Sequence, residues 1–273
     1  MLDKSAIKEL FQFNAIGAAL GSMPAAVAAS AIALPNDFAV TDLERYMPNR
    51  RRARGAMRTS IVTDFAAYAG MHKEPGAMCF VDQDKMTATA VLNLGQPAAP
   101  GHADSIAVYA PKKTAAYLAL ERMAAHGGGL PQKVVAEFLE DWPGEVQCFN
   151  ETAELSPTKA ISAVRNITIE NLRKVGASEQ QLSAERSTFE SVKAENADTL
   201  PQFIYFTCMP YVGLQGRTFV LRLGILTEKV MLTLRIKNAE LHAEQMAAEV
   251  SDLVRQAFNG SLPVAIGTYA ATN

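Results

Sequence analysis

A chain of 273 residues with 49% hydrophobic and 20% charged residues is long enough to bury a core without disulfides or metals, and wholesale disorder is excluded. The formal net charge of −2 excludes a protein whose whole surface grips nucleic acid, while a local basic patch is compatible with it. Three scattered cysteines (Cys79, Cys148 and Cys208) form no Cys-x-x-Cys pair, so they exclude a disulfide framework and a zinc knuckle and read as buried thiols in a reducing compartment.

Residues 15–35 carry no charge and follow Lys4 and Lys8, with a small-residue run at 28–31. An export signal or a membrane span is one reading. Asp3 and Glu9 dilute the positive start, Ser22, Pro24 and Ser30 interrupt the run, and alanine is barely hydrophobic on insertion scales. The reading adopted is a pair of Ala-rich helices broken at 22–24, in a cytoplasmic protein with no membrane association. Ile7, Leu10, Phe11, Asn14 and Ala18 then share one face, and Lys4, Lys8 and Gln12 another.

A connector over 36–48 leads into the most charged stretch, 49–58. A helix is predicted over 63–69, capped by Ser60 or Thr63 and stopped at Gly70. Strands at 77–82 and 87–94 flank a turn at 83–85 and form a hairpin. A Pro-containing loop (95–101) precedes a strand at 105–109, and Pro111 begins a helix reaching about residue 125. Gly127, Gly128 and Gly129 form a hinge; they lack the Lys-Ser/Thr of a phosphate-binding loop. Pro131 opens a helix with Val134, Val135, Phe138, Leu139 and Trp142 on one face, ended by Pro143-Gly144.

The polar middle, 151–198, holds a short helix starting at Ser156-Pro157, a segment at 164–170, and a helix or polar strand at 185–195. Strands follow at 203–208, 218–226 and 230–237. In the last two, Phe219, Leu221, Leu223 and Ile225 alternate with Val220, Arg222 and Gly224, and Leu232, Leu234 and Ile236 alternate with Thr233, Arg235 and Lys237. That pattern marks half-buried antiparallel strands joined at 227–229. A closing helix at 240–258 has the stripe Met246, Val250, Leu253, Val254 and Ala257, and Gly260 stops it. The fold class is therefore α+β, antiparallel sheet with packed helices and an Ala-rich helical N-terminal segment. The expected organisation is 1–35 as that segment, 36–150 as an α/β unit with a basic loop, and 151–273 as antiparallel strands plus the last helix, compact with the preceding unit.

Arg50, Arg51, Arg52, Arg54 and Arg58 place five guanidinium groups within nine residues. With Lys112 and Lys113 they are candidates for nucleic-acid phosphates or for the acidic surface of a partner subunit; a solvated basic loop is the plain alternative. No aromatic is interleaved among the arginines to stack a base. His102 and Asp104 read as a loop-fixing pair, since a metal site wants three or four ligands and His72, His126 and His242 fall elsewhere. No catalytic constellation, metal site or cofactor motif is present: there is no Gly-x-Ser-x-Gly elbow and no cysteine in an electropositive turn.

Several stretches occur in a collinear series: Leu43-Glu44 and Pro48, then Arg54-Gly55-Ala56-Met57, then Asp64-Phe65-Ala66-Ala67-Tyr68. Ala90-Val91 and Asn93, the Gly101-His102-Ala103-Asp104 loop, Ala107 and Tyr109 come next, followed by residues 136–141 and 222–226. In these the chain resembles the YfdQ-like family of temperate phages and prophages, a domain of unknown function, over about residues 34–258. The resemblance implies a setting in phage recombination and replication regions. The family commonly carries Gly-Trp-x-Asp-His in the loop before the third strand; here there is no tryptophan, and Ser105 stands where the motif's histidine would be.

Three functional classes follow as expectations. The first is a non-enzymatic, homo-oligomeric binding module for single-stranded nucleic acid in phage DNA metabolism. The second is a self-assembling ring or shell that uses the Ala-rich helices as contacts and the arginines as clamps. The third is a small-ligand sequestering protein or enzyme with a pocket of His102, Asp104 and arginines.

Overall fold

The computed structural model describes Lys8, Phe11, Asn14, Gly17 and residues 44–150, 153–167, 200–226 and 231–270. The chain divides into two compact units, Met1–Ala53 and Arg54–Asn273. The readings for 185–195, for the turn at 227–229 and for nearly all of 15–35 lie outside the described residues.

In the first unit, Lys8, Phe11, Asn14 and Gly17 are helical and exposed. A short 3-10 helix, Glu44–Tyr46, follows, and the Glu44 carboxylate accepts from the Arg51 amide at 3.1 Å.

The second unit begins with β1 (Gly55–Thr59), α1 (Val62–His72), β2 (Met78–Asp82), β3 (Thr87–Val91), β4 (Gly95–Gln96), β5 (Ala99–Pro100) and β6 (Ser105–Tyr109). Then come α2 (Ala115–Ala124), β7 (Leu130–Pro131), α3 (Gln132–Asp141), β8 (Val146–Phe149), β9 (Glu154–Leu155) and α4 (Pro157–Arg165). β10 (Phe203–Cys208), β11 (Arg217–Leu226), β12 (Met231–Ile236), α5 (Ala239–Phe258) and β13 (Val264–Ile266) complete the α+β fold.

Two larger sheets result. The first runs β1-β6-β3-β2-β13 and is mixed: its centre is antiparallel, as expected, but both edge strands pair in parallel. The second runs β7-β12-β11-β10-β8-β9 and is antiparallel throughout. β1 and β13 escape sequence reading because their side chains are largely exposed or half-buried and offer no apolar alternation.

α1 and α5 cover one face of the first sheet. Phe65 of α1 lies 5.9 Å from the Tyr109 ring on β6 and 5.3 Å edge-on to Phe258 of α5, so a single side chain joins both helices to the strands. α1 overruns its expected end: Gly70 is helical, and the chain straightens at Lys73. Neither Ser60 nor Thr63 caps it; Ile61 is the N-cap and makes no side-chain cap bond. Thr114 does cap α2, accepting from the Tyr117 amide at 3.3 Å while its hydroxyl donates to the Met209 carbonyl.

α2, α3 and α4 pack on the second sheet. Phe138 stacks on Phe206 at 5.3 Å, Trp142 meets the same ring at 6.0 Å, and Tyr117 meets Phe219 at 5.4 Å. Val134, placed on the apolar stripe of α3 by spacing alone, is exposed, and Ala136 takes its place in the core. The core face of the sheet carries Cys148, Ile204, Leu221, Leu223 and Leu234, all buried. Burial pushes the thiols of Cys79 and Cys148 up to about 12 and that of Cys208 to about 11, so all three are protonated and unreactive at neutral pH.

Between β5 and β6 the chain is pinned by Asn93, which is 4% exposed. Its Nδ2 donates to the Asp104 carboxylate at 2.9 Å, and its Oδ1 accepts from the Ser105 amide at 3.0 Å. Ala103 is held at φ 54°, and a Cβ on Gly101 would overlap the Asn93 carbonyl. The Asp104 carbonyl accepts from Gly55 N–H at 2.8 Å, which ties this loop to the start of β1. Asp104→Ala strands a buried donor. It is expected to lower stability by about 1–3 kcal/mol, seen as a lower urea midpoint at unchanged m-value.

Candidate functional site

The arginine run does not form one loop. Arg50, Arg51 and Arg52 end the first unit, whereas Arg54 and Arg58 belong to the second, where the chain has become strand β1. β1 is an edge strand, so its side chains alternate between the helix-covered face, where Met57 and Thr59 are half-buried, and the opposite face, where Ala56 and Arg58 are exposed. Arg54 is exposed just before the strand. Four residues at the strand rise set it about 13 Å from Arg58 along the edge. Arg58 makes no ion pair among the described residues.

Register places Arg58 opposite Val108, Val108 opposite Thr89 and Thr89 opposite Phe80. This row lies on the face away from α1 and α5. Phe80 is stacked there on Tyr269 at 5.3 Å. Lys112 is exposed and lies two residues past Ala110, whose amide donates to the Thr59 carbonyl, so it extends the line of cations beyond the strand end. Lys113 serves differently. Its ammonium lies 2.7 Å from Glu121 and within 6 Å of the Tyr117 and Tyr211 rings. Burial opposes its charge, but hydrogen bonds and charge from Glu121 and Tyr211 outweigh this and leave its pKa raised. Lys113 is thus a tie between α2 and the chain before β11, not an open phosphate contact.

His102 and Asp104 do not bond to one another. His102 is exposed and Asp104 turns to Asn93, so the loop-fixing role belongs to Asp104 alone. Among the described residues no three metal-ligating side chains gather, and no helix is long and apolar enough to cross a membrane.

Two groups of residues emerge that sequence reading did not bring together. At the start of β11, Arg217, only 11% exposed, forms an ion pair with Glu249 of α5 and donates to the His242 carbonyl. The His242 ring lies 4.8 Å from Phe219. Arg217 Nε, His242 Nδ1 and Glu249 Oε2 are buried in this network without partners among the described residues. His242 and Glu249 lie two turns apart on α5, but Arg217 is distant in sequence, so only the fold reveals the set. The second group lies on the outward face of the second sheet, where Phe149, Phe203, Tyr205, Arg222 and Arg235 share a side. The alternation carrying Arg222 and Arg235 was legible in the sequence; the strand β8 that carries Phe149, and the register joining the group, were not.

One family model, described as Uncharacterized conserved protein (DUF2303), matches residues 4–269. The chain belongs to that family. No curated protein and no solved structure matches it. The matched span takes in both units and every site described above.

His242 is held below its ordinary value of 6.5, first by burial and then by the Arg217 charge. The folded state favours the neutral ring. Its contribution to stability is therefore complete above pH 6.5 and is lost as pH falls below that value. The melting temperature is expected to fall more steeply between pH 7 and pH 5 in the wild type than in His242→Gln, measured by thermal denaturation in matched buffers.

Proposed function

We propose that this chain is a non-enzymatic, homo-oligomeric protein of YfdQ-like phage or prophage origin. In this reading it acts in the cytoplasm as a binding module for single-stranded nucleic acid in recombination or replication. The observation that carries the proposal is the line of exposed cations along the edge of the first sheet: Arg54, Arg58 and Lys112. Arg50, Arg51 and Arg52 precede it directly in the chain. A polyanion is the ligand that such spacing suits. Guanidinium groups about 13 Å apart on a strand edge repel one another weakly, while each can neutralise a separate phosphate. An overall charge of −2 confines that attraction to the patch. The family resemblance supplies the genomic setting, and binding of this kind needs no cofactor.

The test is a labelled single-stranded oligonucleotide titrated at several salt concentrations. Replacing Arg50, Arg51, Arg52 and Arg54 together by alanine, with and without Arg58→Ala, should leave the melting temperature in place. It should also flatten the plot of log affinity against log salt by about 0.7 for each phosphate no longer neutralised. Unchanged binding with a reduced oligomer mass would reassign the arginines to subunit contacts and overturn this reading.

A further inference from the structure

The outward face of the second sheet departs from what an idle solvent face looks like. Along β8, β10, β11 and β12, register sets Phe149 opposite Phe203, Phe203 opposite Arg222, and Arg222 opposite Arg235. Residues directly opposite in an antiparallel pair point to the same side, so these four form one row about 14 Å long. The neighbouring row holds Gln147, Tyr205 and Val220, and Lys237, whose amide donates to the Val220 carbonyl, continues it. Phe149 and Tyr205 touch across the rows with ring centroids 4.6 Å apart.

Three features need a common cause. First, Arg222 and Arg235 are exposed and face one another directly, an arrangement that destabilises a sheet, and neither has an ion pair among the described residues. Second, three aromatic rings stand half-buried beside them, although α2, α3 and α4 pack against the opposite, core face. Third, among the described residues of this row Arg222 and Arg235 are answered by Glu154 alone, at the far edge on β9 beside Phe149, and Lys237 adds a further cation in the neighbouring row.

We propose that this face is a base-stacking site for single-stranded nucleic acid, with the rings of Phe203 and Tyr205 receiving bases and Arg222, Arg235 and Lys237 receiving phosphates. A half-buried aromatic flanked by cations, on a sheet face that no helix covers among the described residues, suits an unpaired strand, because only unpaired bases present a free ring face. A duplex would offer phosphates alone, and the rings would gain nothing. The like-charge pair is explained by the same ligand: a phosphate between Arg222 and Arg235 turns mutual repulsion into shared attraction. The inference rests on the reading of the chain as a nucleic-acid binder, but it uses residues separate from the arginine run.

The experiment measures binding of labelled oligothymidylate and of a blunt duplex to four proteins. These are wild type, Phe203→Leu with Tyr205→Leu, Arg222→Thr with Arg235→Thr, and the Arg50/Arg51/Arg52/Arg54 alanine variant. The leucine variant should bind the single strand about tenfold more weakly or worse, the order of one stacked base, at an unchanged salt slope and with unchanged duplex binding. The threonine variant should keep or raise its melting temperature while its salt slope falls by about 0.7 per arginine. A 5-iodouracil oligonucleotide should cross-link to the peptide containing Phe203 and Tyr205. If the wild type binds single strands and the leucine and threonine variants match it, this face is not the site, and the arginine run alone carries the function. A cross-link elsewhere, or a fall in oligomer mass in the threonine variant with binding intact, overturns the proposal as well. A wild type that binds neither probe removes both readings together.

Discussion

A single helix has to serve two sheets, and the second unit is organised around that demand. α5 runs twenty residues, about 30 Å, and its ends meet different partners. Near its start His242 leans on Phe219, and at its middle Glu249 holds Arg217, both partners on β11. Towards its end, Ser251 receives Gln83 from the β2–β3 turn, and Phe258 closes on Phe65. Asn238 and Asn259 bracket the helix in left-handed conformations, an arrangement that short polar side chains tolerate better than most. The buried stripe between them, Met246, Val250 and Val254, is apolar, so the two polar anchorages do not compete with the core. Removing Glu249 would strand Arg217, whose charge is largely withdrawn from solvent; that is far more costly than losing a surface pair.

What the sequence made legible follows from how much each element buries. α5 and the pair β11 and β12 were readable almost to the residue, because Leu221, Leu223, Leu232 and Leu234 alternate with polar neighbours and the helix stripe is continuous. β1 and β13 were invisible, since an edge strand need not alternate, and Gly55, Ala56 and Arg58 look like a basic loop. Caps were read unevenly. Thr114 caps α2, whereas α1 takes no side-chain cap, and its interior Gly70 imitates a stop signal. The parallel pairing of β1 with β6 joins segments some fifty residues apart, and nothing local encodes it. The same limit applies to function: five arginines close together were conspicuous, whereas Arg222 facing Arg235 required the register of two strands.

The two sheets share a design. Each covers one face with helices and carries half-buried aromatic side chains on the other: Phe80 and Tyr269, three strands from Arg58, on the first, and Phe149, Phe203 and Tyr205 beside Arg222 on the second. The interior is conventional by contrast, with unreactive thiols and close-packed rings. Polar groups that elsewhere would invite a catalytic reading are consumed in holding the fold: Lys113 by Glu121, Asp104 by Asn93, and Arg217 by Glu249. Chemistry that is not spent on the fold lies on the surfaces.

The edge position of β1 has a consequence for how copies of the chain behave in a crowded solution. A strand with one unpaired side is a template on which another strand can add, and open-ended growth of sheets begins at such borders. Arg54 and Arg58 stand guard there. Two such edges brought together would set like charges against one another, and the cost would rise with each further molecule added. Lateral polymerisation through this border is therefore discouraged at the earliest encounter.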